Sequence, residues 1–149
     1  MGTNLRNRQS PVLTASLRLV IFDFICYLFV ALFIYTGSSK LADTKAFEAV
    51  LIRYPLIGGY SGFIAYTVPL VEFAVSLLLI VPKTRRHGLK VSLFVMIAFL
   101  LYIMYLFLSK SELPCSCGGI LAKLTWQQHL WFNAFFVILA LLGIMVSRK

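Results

Sequence analysis

Four apolar stretches, each close to the length that crosses a bilayer core, constrain this chain more than any other feature. The hydrocarbon core is about 30 Å thick, so a helix needs about 20 apolar residues to span it. Stretches of that size run from about Leu17 to Thr36, Tyr60 to Val81, Leu89 to Leu108 and Trp126 to Val146. In lipid the backbone must satisfy its own hydrogen bonds, which makes such stretches helices. Composition points the same way: 60% of residues are hydrophobic and 13% are charged, against about a quarter charged in soluble domains. The expectation is an all-α integral membrane protein, a four-transmembrane-helix bundle that forms one domain over residues 17–149. Residues 1–16 are polar, have no signal-peptide cleavage pattern, and read as a short cytoplasmic tail.

The net charge of +9 would suggest nucleic acid in a soluble protein. Here the basic residues sit in short segments beside the spans, and no aromatic-interleaved basic patch is present, so nucleic acid is set aside. Arg6, Arg8, Arg18, Lys83, Arg85, Arg86, Lys90, Arg148 and Lys149 fall on one side with no acidic residue among them. Lys40, Lys45, Arg53, Lys110 and Lys123 fall on the other, offset by Asp43, Glu48 and Glu112. The positive-inside rule then predicts both termini in the cytoplasm, N-in/C-in. In a bacterium this is a multi-pass protein of the inner membrane, and the segment after the third span faces the oxidising periplasm.

The two outer segments have local order of their own. From Thr44, the residues Phe47, Val50, Leu51 and Tyr54 recur at helical spacing on one face, and Pro55 stops the run. This predicts a short amphipathic interfacial helix in the first outer loop, lying at the membrane surface or packed on the bundle. In the second outer loop Thr125, with Gln128 three residues on, reads as a capping box that starts the fourth helix at Trp126. Trp126 and Trp131 suit an outer aromatic belt.

That second loop carries the sequence Pro114-Cys115-Ser116-Cys117-Gly118-Gly119. Thiol–disulfide exchange needs one thiolate that attacks and a neighbour that resolves the mixed disulfide. Cys115 and Cys117 supply both. A disulfide across one residue closes almost no loop and so adds little chain-entropy stability, which argues against a scaffold role. The alternatives are a static bridge, inert thiols, or copper or zinc binding. His129 completes only three plausible outer ligands where a structural zinc wants four. His129, one turn into the fourth helix, is either a group that lowers a cysteine pKa or an interfacial histidine without chemical role. Asn133 follows at i+4 on the same face and makes either a polar strip with His129 or an interhelical hydrogen bond. Cys26, mid-span in the first helix, reads as a small buried hydrophobe.

Asp23 and Glu72 are the intramembrane carboxylates. An unpaired charge at that depth costs at least about 2.5–3.5 kcal/mol, so both should face the bundle interior. No basic residue lies inside a span at matching depth, and each carboxyl is therefore expected to be protonated or bonded to a polar neighbour. Glu72 follows Pro69 by one turn, where structural and proton-handling roles are both open. Asp23 reads as structural.

The Gly37-Ser38-Ser39-Lys40-Leu41 turn, Phe47, Pro69-x-x-Glu72, the basic loop, Cys115-Ser116-Cys117-Gly118-Gly119 and Asn133 together resemble the MauE/DoxX-like membrane proteins. The likeness covers nearly the whole chain after the N-terminal tail. It implies a four-helix membrane bundle linked to periplasmic thiol redox beside a thioredoxin-like partner. The fold it implies is also similar to quinone-linked disulfide-forming bundles, which makes a quinone the cofactor to test. Against the redox reading stands a non-enzymatic one, in which the bundle anchors or assembles a larger membrane complex and the loop is a contact surface. Metal handling is a third.

Overall fold

The computed structural model describes residues 10–108 and 125–147. Among them are five α-helices: α1 Ser10–Ala42, α2 Thr44–Leu51, α3 Ser61–Ile80, α4 Arg85–Leu108 and α5 Trp126–Ser147, with a 3-10 turn over Gly58–Tyr60 ahead of α3. Four of these, all but α2, are long and apolar enough to cross a membrane. The chain is therefore a multi-pass membrane protein whose spans match the apolar stretches of the sequence.

The spans form a ring. α1 packs on α3 and α5, α4 packs on α3 and α5, and α1 meets α4 only across the diagonal. Phe29 and Phe33 of α1, Val75 and Leu79 of α3, Leu89 and Met96 of α4, and Phe136 and Ala140 of α5 fill the centre. The Phe29 and Phe136 rings meet edge to face at 5.2 Å and 81°, the geometry that aromatic quadrupoles favour. Cys26 is a buried free thiol in the same cluster. Large apolar side chains such as Leu19, Phe63, Leu70, Phe94 and Phe135 point outward, and that much exposed apolar surface is the lipid-facing side of the bundle.

The helix ends follow local chemistry. Pro11 falls in the first turn of α1, where its missing N–H costs nothing. Thr125 and Gln128 form the expected capping box: the Thr125 amide donates to Gln128 Oε1 at 3.0 Å, and the Gln128 amide donates to Thr125 Oγ1 at 3.3 Å. Asp43 caps α2, its Oδ1 accepting from the Ala46 amide at 3.0 Å. The apolar face of α2 packs on the bundle: Phe47 and Leu51, with Tyr54 beyond the end of the helix, are buried against Ala65 of α3 and Leu106 of α4.

Two expectations change. Residues 37–41 are not a turn: α1 runs on through them to Ala42. Gly37 explains how, because a Cβ there would stand 3.2 Å from the Phe73 ring, so the bare backbone lets α1 approach α3. The helix also starts six residues before the end of the expected tail.

Neither intramembrane carboxylate lacks a cation. Lys40 Nζ lies 2.7 Å from Glu72 Oε1, and Arg85 Nη1 lies 2.6 Å from Asp23 Oδ1. Lys40 and Arg85 lie outside the apolar stretches, but both belong to helix ends that extend further than those stretches. By helical rise, Asp23 and Lys40 stand about 25 Å apart along α1, so the pairs tie α1 near opposite ends of the bundle.

Candidate intramembrane polar site

The end of the bundle that holds Lys40 also brings together the ends of α1 and α4 and the starts of α3 and α5. α2 lies across it. Side chains on a helix tilt toward its N-terminus. Lys40 in the last turn of α1 therefore leans into the bundle, while Glu72 of the antiparallel α3 leans out toward it. The two charges converge, and both are nearly removed from solvent, at 6% and 2% side-chain exposure. Lys40 Nζ also stands 5.8 Å over the Phe47 ring of α2, a cation–π contact that adds to its support.

Glu72 Oε2 has no hydrogen-bond partner among the described residues. Thr36 stands one helical turn before Lys40 and lines the same space, and its hydroxyl lies 3.0 Å from the Leu32 carbonyl and 3.4 Å from that of Phe33. The main chain of Glu72 is satisfied separately, its carbonyl accepting from Ser76 Oγ at 2.9 Å. The carboxyl accepts its hydrogen bond from Lys40.

His129 and Asn133 face inward from the first turns of α5, at 2% and 4% exposure. His129 is thus buried inside the bundle rather than exposed on its surface. Asn133 Nδ2 donates to the His129 carbonyl at 2.9 Å, a bond within α5 rather than between helices. Together with Thr36, Lys40 and Glu72 they line a cavity of about 140 Å³. The rest of its wall is apolar, a mixture of aromatic side chains such as Phe33, Phe47 and Phe132 and aliphatic ones such as Ile64, Val68 and Ile103. The cavity lies under α2, whose Phe47 and Leu51 form its roof.

Asp23 is not part of this site. Its partner Arg85 also donates to Tyr27 Oη at 3.1 Å and to the Leu79 and Ile80 carbonyls at 3.1 and 3.4 Å. One guanidinium thus ties α1 to the open C-terminal carbonyls of α3. Lys40, Thr36, Arg85 and Tyr27 were missed in the sequence. The signal for Lys40 was available: it stands at i+4 from Thr36 on the face that Phe29 and Phe33 turn to the core.

Cys115 and Cys117 lie outside the described residues, in the segment that joins Leu108 of α4 to Thr125 before α5. Among the described residues no group of three His, Cys, Asp or Glu side chains is placed to hold a metal.

Comparison with curated proteins and with solved structures gives no match. The family model described as methylamine utilisation protein MauE matches residues 18–146, from the start of the first span to the end of the fourth. The match takes in all four spans, the Lys40–Glu72 pair, the cavity and the Cys-x-Cys segment, and the chain belongs to the MauE family.

Proposed function

We propose that this chain is a membrane component of thiol–disulfide electron transfer, with Cys115 and Cys117 as the reacting pair. One thiolate attacks a sulfur of a partner's disulfide, and the partner's second sulfur leaves as a thiolate. The other loop cysteine then attacks the mixed disulfide, which releases the partner as a dithiol and leaves Cys115 and Cys117 joined. Run backwards, the same two exchanges oxidise the partner. A thioredoxin-like protein on the periplasmic side of a bacterial inner membrane is the partner this chemistry suits. His129 is the basic group proposed to favour the thiolate.

The observation that carries the reading is the pair of cysteines one residue apart, in a segment flanked by α4 and α5 at the end of the bundle where His129 is buried. Family membership supports the membrane setting.

Trapping tests it. Cys115→Ser and Cys117→Ser are each expressed in cells, free thiols are blocked with acid, and mixed disulfides are sought on non-reducing gels. One of the two should accumulate a reductant-sensitive adduct with a periplasmic protein. The reading fails if neither does, or if reporter fusions put residues 109–124 in the cytoplasm.

A further inference from the structure

The two ends of the bundle differ in charge. The starts of α1 and α4 and the ends of α3 and α5 share one end. Among the described residues that end carries five cations, Arg18, Lys83, Arg85, Arg86 and Lys90, against the single carboxylate of Asp23, a net charge of +4. The other end carries Lys40, Lys45 and Arg53 against Asp43, Glu48 and Glu72, three against three and a net charge of zero. Arg85 is committed to Asp23 and to the last carbonyls of α3. Arg18, Lys83, Arg86 and Lys90 are exposed and belong to neither ion pair among the described residues.

Two of these cations are held together by their helix. Arg86 and Lys90 stand one turn apart on the outward face of α4. Side chains lean toward a helix N-terminus, so Lys90 leans back toward Arg86. Like charges at that spacing repel each other. Their other neighbours three and four positions away are Pro82, Lys83, His87, Leu89, Leu93 and Phe94, and none is acidic. An anion seated between the two cations removes the repulsion.

The same face continues as apolar surface. Phe94, Ile97 and Leu101 are exposed, and with Arg86 and Lys90 they fall within an arc of about 80° around the helix. With 24 residues, α4 is about 36 Å long, against a hydrocarbon core of about 30 Å. The charged first turn takes up the excess in the headgroup layer, where Lys90 reaches back along its apolar stem. Phe94 and the residues after it lie at the depth of the acyl chains.

We propose that this face of α4 binds an anionic phospholipid, with its phosphate between Arg86 and Lys90 and an acyl chain along Phe94, Ile97 and Leu101. The charge of that end sets the preference. A headgroup of net negative charge, as in phosphatidylglycerol, is attracted by the whole basic end. A zwitterionic headgroup brings an ammonium that the same cations repel.

Native mass spectrometry of the full chain released from detergent micelles tests this. Phosphatidylglycerol and phosphatidylcholine with identical acyl chains compete for the protein, and the bound lipids are counted. One cation beside an anionic headgroup is worth about fivefold in affinity, so two predict a preference of about tenfold or more for phosphatidylglycerol. Arg86→Gln with Lys90→Gln should lose most of it. Lys45→Gln with Arg53→Gln removes the same charge from the other end and should keep it. No preference in the parent protein, a preference kept by the α4 double variant, or an equal loss in the control variant each overturns the proposal. Inorganic phosphate at the lipid concentration should leave phosphatidylglycerol bound; displacement would reveal a bare anion site and overturn the assignment to lipid. All four substituted positions are exposed, so unfolding in detergent should not separate the variants from the parent, and a lost preference reads on binding. None of these outcomes involves Cys115, Cys117 or His129, so the cysteine reading and this one stand or fall separately.

Discussion

Lys40 Nζ lies 2.7 Å from Glu72 Oε1, although the two residues are 32 positions apart and come from antiparallel spans. The contact joins α1 to α3 where Gly37 lets the backbones close, and it forms the polar end of the cavity. Taking away one member strands a buried charge, which costs about 3–5 kcal/mol. Glu72→Leu and Lys40→Met alone should each lower the stability of the purified protein by that order, measured by denaturant unfolding in detergent. The double replacement puts two apolar side chains in contact and should recover most of the loss. A double variant no better than the worse single one would show that the pair is not what the two residues contribute.

Arg85 serves α3 differently. Its guanidinium reaches Asp23, Tyr27 and two terminal carbonyls of α3 at once, a planar set of donors that an ammonium cannot reproduce. Arg85→Lys should therefore destabilise by about 1–3 kcal/mol, the scale of hydrogen bonds from a charged donor. Asp23→Asn should cost less than about 1 kcal/mol, since that carboxyl is nearly half exposed and the arginine keeps its carbonyl partners. Unfolding in detergent ranks the two; a larger loss for Asp23→Asn would make the ion pair, not the carbonyl contacts, the main tie.

The spans, α2 and the start of α5 were legible because each depends on neighbours within about four residues: apolar runs, a helical stripe from Phe47 to Tyr54, and the Thr125–Gln128 box. The i, i+4 spacing put His129 and Asn133 on one helix face for the same reason, but left open whether that face turned inward. The ion pairs were not. Gly37-Ser38-Ser39 has weak helix propensity and reads as punctuation, yet packing against Phe73 and the pull between Lys40 and Glu72 keep α1 helical through it. Arg85 and Asp23 are 62 residues apart, and no local pattern encodes their meeting. The rule that an intramembrane carboxylate faces the bundle interior held for Glu72 but not for Asp23, which is nearly half exposed; the assumption that a cation beyond the apolar stretch is out of reach failed for both.

Close approach at the turn before α3 gives a paired test. A Cβ on Gly58 would stand 2.5 Å from the Ile52 carbonyl oxygen, whereas one on Gly59 would meet nothing within 4 Å. Neither residue has a left-handed φ, so space alone separates them. Gly58→Ala should destabilise by about 1–3 kcal/mol through forced backbone shifts. Gly59→Ala should be neutral or gain up to about 1 kcal/mol by restricting the unfolded chain. Thermal unfolding of the two variants side by side checks the contrast, and equal losses would mean that the turn tolerates neither side chain for some other reason.

Leu56 holds a left-handed backbone with φ of 72° while its side chain is exposed. The surrounding bonds enforce it: the Gly58 amide donates to the Tyr54 carbonyl at 3.0 Å, and Tyr102 Oη donates to the Pro55 carbonyl at 3.1 Å. A side chain in that region costs roughly 1–2 kcal/mol, and exposure means that Leu56 recovers little of it by packing. The turn also sets Tyr54 and Ile57 against the cavity wall, so the strain is tied to the shape of the site. Leu56→Gly should relieve it and raise stability, by up to about 1 kcal/mol after the extra unfolded-state entropy of glycine is subtracted. Leu56→Val, branched at Cβ, should lower it by a similar amount. Chemical denaturation of the three proteins in one detergent gives the order Gly, Leu, Val if the backbone governs; Val at or above Leu would mean that the turn relaxes away from this conformation.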